Sequence, residues 1–343
     1  MRFTLTFLLL LGCLLPGWTQ DLAERVIVDS IRSENLTNEF DENSTREVAV
    51  YLPKDYKEST RRYPVIYFLH GFNGDHSILG EMAALLDSSV RRNKIRPFIM
   101  VVSNQKTSYG GSFYSNSGVF GDWEDFTAFD VVSYVDANFR TIARREGRGI
   151  AGHSMGGYGA LKIAMLHPDR FSCVYALSPG GLAIVREYGP NSNTYRELNG
   201  IKTVEELSQT YFGQVAIAFG KSWSPNPDKP PFFCDIPFTY EDEDLIVKQN
   251  VLEKWYRNMP FYMIGKNLEN LKQLNAIKLD WGRNAGDRFT IQCEMFSQKL
   301  ENVGIKHFAE EYIGTHGSGI YTEEGRIPNQ LLPFFNDYLE FDD

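Results

Sequence analysis

The chain has 343 residues, 43% of them hydrophobic and 23% charged, and a formal net charge of −9 at pH 7. That composition suits a soluble globular protein with a sizeable core, in one large domain or two ordinary ones. An acidic balance without a long basic run excludes nucleic acid as a partner, because phosphate binding needs clustered Lys and Arg.

At the N-terminus Arg2 precedes the apolar run FTLTFLLLLGCLL and the breaker pair Pro16-Gly17. The run is shorter than the roughly 20 residues that a bilayer span needs. It has the size of a signal-peptide core, so residues 1–20 are expected to be removed near Thr19 or Gln20. The alternative uses LLGC, ending at Cys13, as a lipid-attachment site. Either way the mature chain is expected outside the cytoplasm, secreted or periplasmic, with no stable insertion into a membrane. Without that segment three cysteines remain, Cys173, Cys234 and Cys293. An odd count allows at most one disulfide, and buried free thiols are the expectation. No Cys/His cluster has zinc spacing, so no metal is expected, nor any cofactor.

TREVAVYLP (45–53) alternates polar and apolar residues as a half-buried strand does. YPVIYFLHG (63–71) and RPFIMVVSN (96–104) are nearly all apolar and predict buried parallel strands, with a helix between them over 78–92. A long amphipathic helix is predicted over 123–140. GRGIAGH (147–153) predicts a strand, followed by a helix from about Gly156 to His167. Further strands are expected at 171–180, 275–282 and 306–314, and helices at 287–302 and 327–339. Strand and helix alternate throughout. The economical fold is α/β, a mostly parallel sheet with helices on both faces, in a single domain over 21–343. Residues 181–260 interrupt the rhythm with KSWSPNPDKPPFFCDIPF, rich in proline and aromatics. A long stretch without clear elements reads as an insertion or cap beside a functional site.

The chemistry concentrates in GIAGHSMGGYGALKIAML (149–166). Gly152-His153-Ser154-Met155-Gly156 is a Gly-x-Ser-x-Gly motif between a predicted strand and helix, the context a nucleophilic serine requires. Side chains two residues either side of Ser154 would collide with the neighbouring strand and helix, which explains glycine there. The helix N-terminus beneath the serine favours negative charge. Of the six histidines, His316 lies in GTHGSG after the last strand, on the sheet edge that also carries Ser154, and is the expected base. The orienting acid should fall between serine and histidine in the chain. Asp287, in GDRF past the strand end, is preferred to Asp280 within the strand, although Asp287 could simply cap the next helix. The oxyanion donors are expected to be the amides of Met155 and of Phe72, in LHGFNGDH after an early strand.

YPVIYFLHGFNG, GHSMGGYGALKIAMLHPDRF and GDRF…GTHG, in that order, resemble the esterase D branch of the α/β-hydrolases over roughly residues 45–340. Feruloyl and acetylxylan esterases, S-formylglutathione hydrolases, siderophore esterases and mycolyltransferases belong to that branch. The resemblance implies the α/β-hydrolase fold, Ser154 as nucleophile, His316 as base, Asp287 as acid and the Phe72 and Met155 amides as oxyanion donors. The implied reaction is two-step acyl transfer to water, on acetyl or feruloyl esters of carbohydrates or similar small esters. The alternatives are an acyltransferase of the mycolyltransferase type and a non-catalytic binding protein on this fold. Tyr109, Phe113, Tyr114 and Trp123, on an aromatic and glycine-rich loop past a strand end, are the candidate substrate contacts, with Trp223, Phe232 and Phe233 of the insertion as an opposite wall.

Overall fold

The computed structural model describes residues 21–342 other than 39, 41 and 42. The leader reading of residues 1–20, including Cys13, lies outside the described residues. In chain order the central elements are β1 (Val26–Arg32), β2 (Thr45–Tyr51), β3 (Val65–Leu69), α1 (Ile78–Arg91) and β4 (Ile99–Ser103). There follow α2 (Trp123–Asp125, a π turn at Phe126–Val131, then Val132–Asn138), β5 (Arg148–His153), α3 (Met155–Leu166) and β6 (Cys173–Leu177). After the insertion come β7 (Ala276–Gly282), α5 (Asp287–Asn302), β8 (Phe308–Tyr312) and α6 (Leu332–Tyr338).

The eight strands form one sheet in the order β1-β2-β4-β3-β5-β6-β7-β8. β2 runs antiparallel to both β1 and β4, and every pairing from β4 to β8 is parallel. This is the mostly parallel α/β sheet that the sequence predicts. β1 is an addition, and its VIVDSIR run leaves most positions exposed, so it carries little apolar signal.

The strands read as continuous apolar runs because both faces are covered. Successive side chains point to opposite faces. Val65, Tyr67 and Leu69 join one core with α2, α3 and α5, whereas Ile66 and Phe68 join another with α1 and the C-terminal helix. α3 is buried along nearly its whole length, from Met155 to Met165. Its polar end is set by backbone contact alone. A Cβ on Gly156 would lie 1.8 Å from the Leu69 carbonyl oxygen, and one on Gly152 would lie 2.4 Å from the Gly156 carbonyl. No side chain fits at either position, which is the steric requirement inferred from the motif.

The 181–260 stretch is more regular than its composition suggests. It holds a helix over Asn193–Gly200, α4 (Tyr211–Trp223), a hairpin of Phe238–Glu241 with Asp244–Val247, and a helix over Gln249–Tyr256. The helix Tyr211–Trp223 starts at Thr210, whose side chain accepts from the Gly213 amide. Cys173, Cys234 and Cys293 are free and buried.

Asp280 is wholly buried within β7. It accepts hydrogen bonds from the Tyr175 hydroxyl at 2.6 Å and the Arg326 guanidinium at 2.8 Å, and Arg326 also binds Glu310 of β8. Removing one partner from a buried ion pair strands the other, at a cost of about 3–5 kcal/mol. Arg326→Met is therefore expected to lower unfolding free energy by about that amount in urea titration. A loss under about 1 kcal/mol would mean that water reaches the Asp280 carboxylate.

Candidate active site

The carboxyl ends of β3, β5, β6 and β8 converge on one edge. β5 ends at His153, and the chain reverses at Ser154 with φ 60° and ψ −116°, outside the regions that L-residues favour. The turn is pinned from three sides. The Ser154 amide donates to the Leu177 carbonyl at 3.0 Å, and its carbonyl accepts from the amides of Tyr158 and Gly180. Strain of this kind persists only where the surroundings over-determine it. It leaves the Ser154 hydroxyl above the sheet edge, at the start of α3.

The loop after β8 brings His316 to this hydroxyl. Ser154 Oγ donates to His316 Nε2 at 2.8 Å. Two further contacts fix the imidazole. The Phe289 ring, from the first turn of α5, stacks on it at 3.6 Å between centroids and 20° between planes. His153 Nε2 donates to the His316 carbonyl at 3.0 Å, so the histidine inside the motif braces the loop that carries the second one.

The other ring nitrogen meets a serine. His316 Nδ1 donates to Ser178 Oγ at 3.1 Å. Ser178 is fully buried past the end of β6, with φ 44°, and its amide donates to the Asp280 carbonyl at 2.8 Å. The structure does not bring Asp287 to the ring. Asp287 is the first residue of α5, its side chain is 66% exposed, and it pairs with Arg186 at 2.8 Å. The residue at the N-cap is Gly286, with φ 90°. Asp280 is committed to Tyr175 and Arg326 below the edge.

The electrostatics follow from that geometry. Burial first, and then the neighbouring His153 and Arg288, push the His316 pKa down to about 3. The ring is thus a neutral acceptor for the serine proton. Beside it, no hydrogen bond takes up the Phe72 or Met155 amide among the described residues. Met155 is the first residue of α3, where a helix leaves its N–H groups unpaired. The Phe72 loop is anchored by His70, whose Nδ1 donates to the Gly71 carbonyl and whose Nε2 accepts from the Gln105 amide, both at 2.9 Å.

A cavity of about 30 Å³ opens beside Ser154, walled by Phe72, Phe113, Met155, Tyr211, Phe219 and Arg288 among others. Of the four candidate substrate contacts, Phe113 lines it. Tyr114 lies in the core, its hydroxyl on the His70 carbonyl at 2.9 Å. Trp123 is buried under Arg46, with its indole N–H on the Phe120 carbonyl. Tyr109 reaches away to the Pro231 carbonyl at 3.0 Å. Trp223 stacks on Phe219 in the core, Phe233 packs on Phe40, and Phe232 lines a separate cavity.

Sequence reasoning missed Ser178, Phe289, His153 and the wall formed by Tyr188, Tyr211 and Phe219. Ser178 carries a usable signal, because it follows a buried strand at the same carboxyl edge as Ser154.

The Esterase family model matches residues 41–323. The chain belongs to this family. An esterase of Mycobacterium tuberculosis is 36% identical over 149 residues, 41% of this chain and 30% of that protein. The endo-1,4-beta-xylanase/feruloyl esterase of Xylanibacter ruminicola is 32% identical over 146 residues, 38% of this chain and 19% of that protein. The chain thus spans less than a third of either relative. A solved ferulic acid esterase has a TM-score of 0.61 at 23% identity, covering 92% of this chain and 98% of its own. That likeness concerns the fold, which is the α/β-hydrolase fold. No helix among the described residues is long and apolar enough to cross a membrane.

The His316 ring is expected to stay neutral in the resting protein down to about pH 4, well below the histidine value of about 6.5, as followed by imidazole NMR. The folded pKa lies below the unfolded one, so the unfolded chain binds the extra proton and stability falls as pH drops from about 6.5 toward 3. A midpoint at or above about 6.5 would mean that a carboxylate faces Nδ1.

Proposed function

We propose that the protein is a serine carboxylesterase that works through an acyl-enzyme. The observation that carries this reading is the 2.8 Å hydrogen bond from Ser154 Oγ to a neutral His316, at a serine held with φ 60°. Ser154 attacks the ester carbonyl while His316 Nε2 takes its proton. The Phe72 and Met155 amides receive the oxyanion. His316 then protonates the leaving alcohol and activates a water that frees the acid. No metal or cofactor enters the scheme.

We assign Asp287 as the acid of the working triad and Ser178 as the partner that holds Nδ1 at rest. Two features support the exchange. The Arg186–Asp287 pair is exposed on both sides, and such pairs contribute about 0–1 kcal/mol. Asp287 also sits two residues before Phe289, which already lies on the imidazole. Ser154→Ala is expected to abolish turnover of p-nitrophenyl acetate. Asp287→Asn should cut kcat by about 10² or more, and Ser178→Ala only several-fold. The opposite ranking of the last two would make Ser178 the orienting group and remove Asp287 from the mechanism.

The small cavity favours a short acyl group. The space beside Ser154 is narrow and walled by Phe72, Phe113, Tyr211 and Phe219, which suits an acetyl methyl better than a feruloyl ring. Tyr211 closes the wall, 53% exposed at the start of its helix and packed edge-on against Phe72. Acetyl esters of carbohydrates or comparable small esters are the assigned class. The apolar run after Arg2 supports export of the chain to reach them. p-Nitrophenyl acetate should be hydrolysed faster than the butyrate, and methyl ferulate slowest. Tyr211→Ala should raise the ferulate rate without raising the acetate rate. Ferulate as the best substrate of the unaltered protein would refute the acetyl assignment.

A further inference from the structure

The helix Tyr211–Trp223 separates two cavities. At 100° per residue, positions four apart share a face and positions two apart lie nearly opposite. Val215 and Phe219 accordingly line the cavity beside Ser154, and Ile217 lines another on the far side. This second cavity holds about 490 Å³, well within the range of about 300–1,000 Å³ typical of small-molecule sites. Its floor is apolar, formed by Ile217, Phe232 and Cys234 of a small hydrophobic cluster and by Ile236, which packs on both that cluster and the main core.

The mouth carries charge of one dominant sign. Lys202, Lys229 and Lys248 line it against a single lining carboxylate, Asp228. Asp235 takes up Lys229, and the Lys202 ammonium donates to the Asn199 carbonyl. Lys248 makes no ion pair among the described residues; its partial burial and the nearby Lys229 charge disfavour its protonated form, and the Asp235 and Glu241 carboxylates offset this in part. The three lysines outnumber Asp228 and Asp235 by one on a chain of net charge −9, and this local excess favours an anion.

We propose that this cavity is a binding site for a small organic carboxylate with an apolar body, of the size of an arylalkanoic acid. The body rests on Ile217 and Phe232, and the carboxylate lies between Lys202 and Lys248. The site needs no chemistry at Ser154, so it stands apart from the esterase reading.

The probe is 4-phenylbutyrate, with its uncharged amide as control, titrated calorimetrically into the full chain and into Ser154→Ala. One equivalent is expected to bind both proteins alike, and the amide should bind about tenfold more weakly or worse. The double variant Lys202→Gln/Lys248→Gln should weaken the acid by a similar factor and leave the amide unchanged. Ile217→Trp, which fills the cavity, should abolish binding of both. Hydrolysis of p-nitrophenyl acetate should be unchanged in these variants. Absence of binding at millimolar probe, equal affinity for acid and amide, or unaltered binding in the lysine variant would each overturn the proposal. The lysine variant changes only side chains at the cavity mouth, so the test stands even if Ile217→Trp fails to fold. Loss of turnover in Ser154→Ala with binding intact would separate this site from the catalytic one.

Discussion

The contact on which the arrangement depends is the approach of the α3 backbone to the ends of β3 and β5. At Gly156 the separation from the Leu69 carbonyl leaves no space for a single carbon. A helix that close must be buried all round, and α3 is. Its first residue must turn directly off β5, which gives Ser154 its unusual dihedrals. Its first amides have no preceding turn to bond, which leaves them without helical partners beside Ser154. Strained serine, unpaired donors and glycine-rich motif are three results of one distance.

His316 is held by a different kind of force. It comes from a loop, and its position depends on a ring stack, a carbonyl braced by His153 and a serine at the end of β6. None of these is a formal charge. The imidazole therefore sits in an apolar and slightly cationic surround that keeps it unprotonated, while the Asp287 side chain pairs with the exposed Arg186. One half of the site is fixed by rigid backbone packing and the other by contacts that a modest free-energy change can rearrange.

That division explains what the sequence could disclose. β3, β4, β5 and β6 were legible because a strand covered on both faces must be apolar throughout. The serine turn was legible because steric exclusion leaves only glycine. β1 was not, since VIVDSIR is largely exposed. The helix Tyr211–Trp223 was hidden because it is buried on most sides, so it lacks a polar stripe to mark its period, and it lies among proline-rich segments. The choice between Asp280 and Asp287 rested on which carboxylate lay past the strand end. Where the Asp287 side chain points is decided by Arg186, about a hundred positions earlier, and no local spacing encodes it. The aromatic loop at 108–123 reads the same whether its rings face a ligand or the core. Tyr114 lies inward against Gly159 of α3, and Trp123 lies inward beneath Arg46 of β2.

The three free cysteines among the described residues have a consequence for handling. Thiol exchange proceeds through the thiolate, and burial pushes Cys173 and Cys234 up to about 12 and Cys293 upward as well. At neutral pH none of the three presents a nucleophilic sulfur. The described fold owes nothing to a covalent crosslink, so it is indifferent to the redox potential around it. Reductants and mild oxidants should leave it equally intact, and shuffled disulfides are not among the ways in which it can misfold while these residues stay packed.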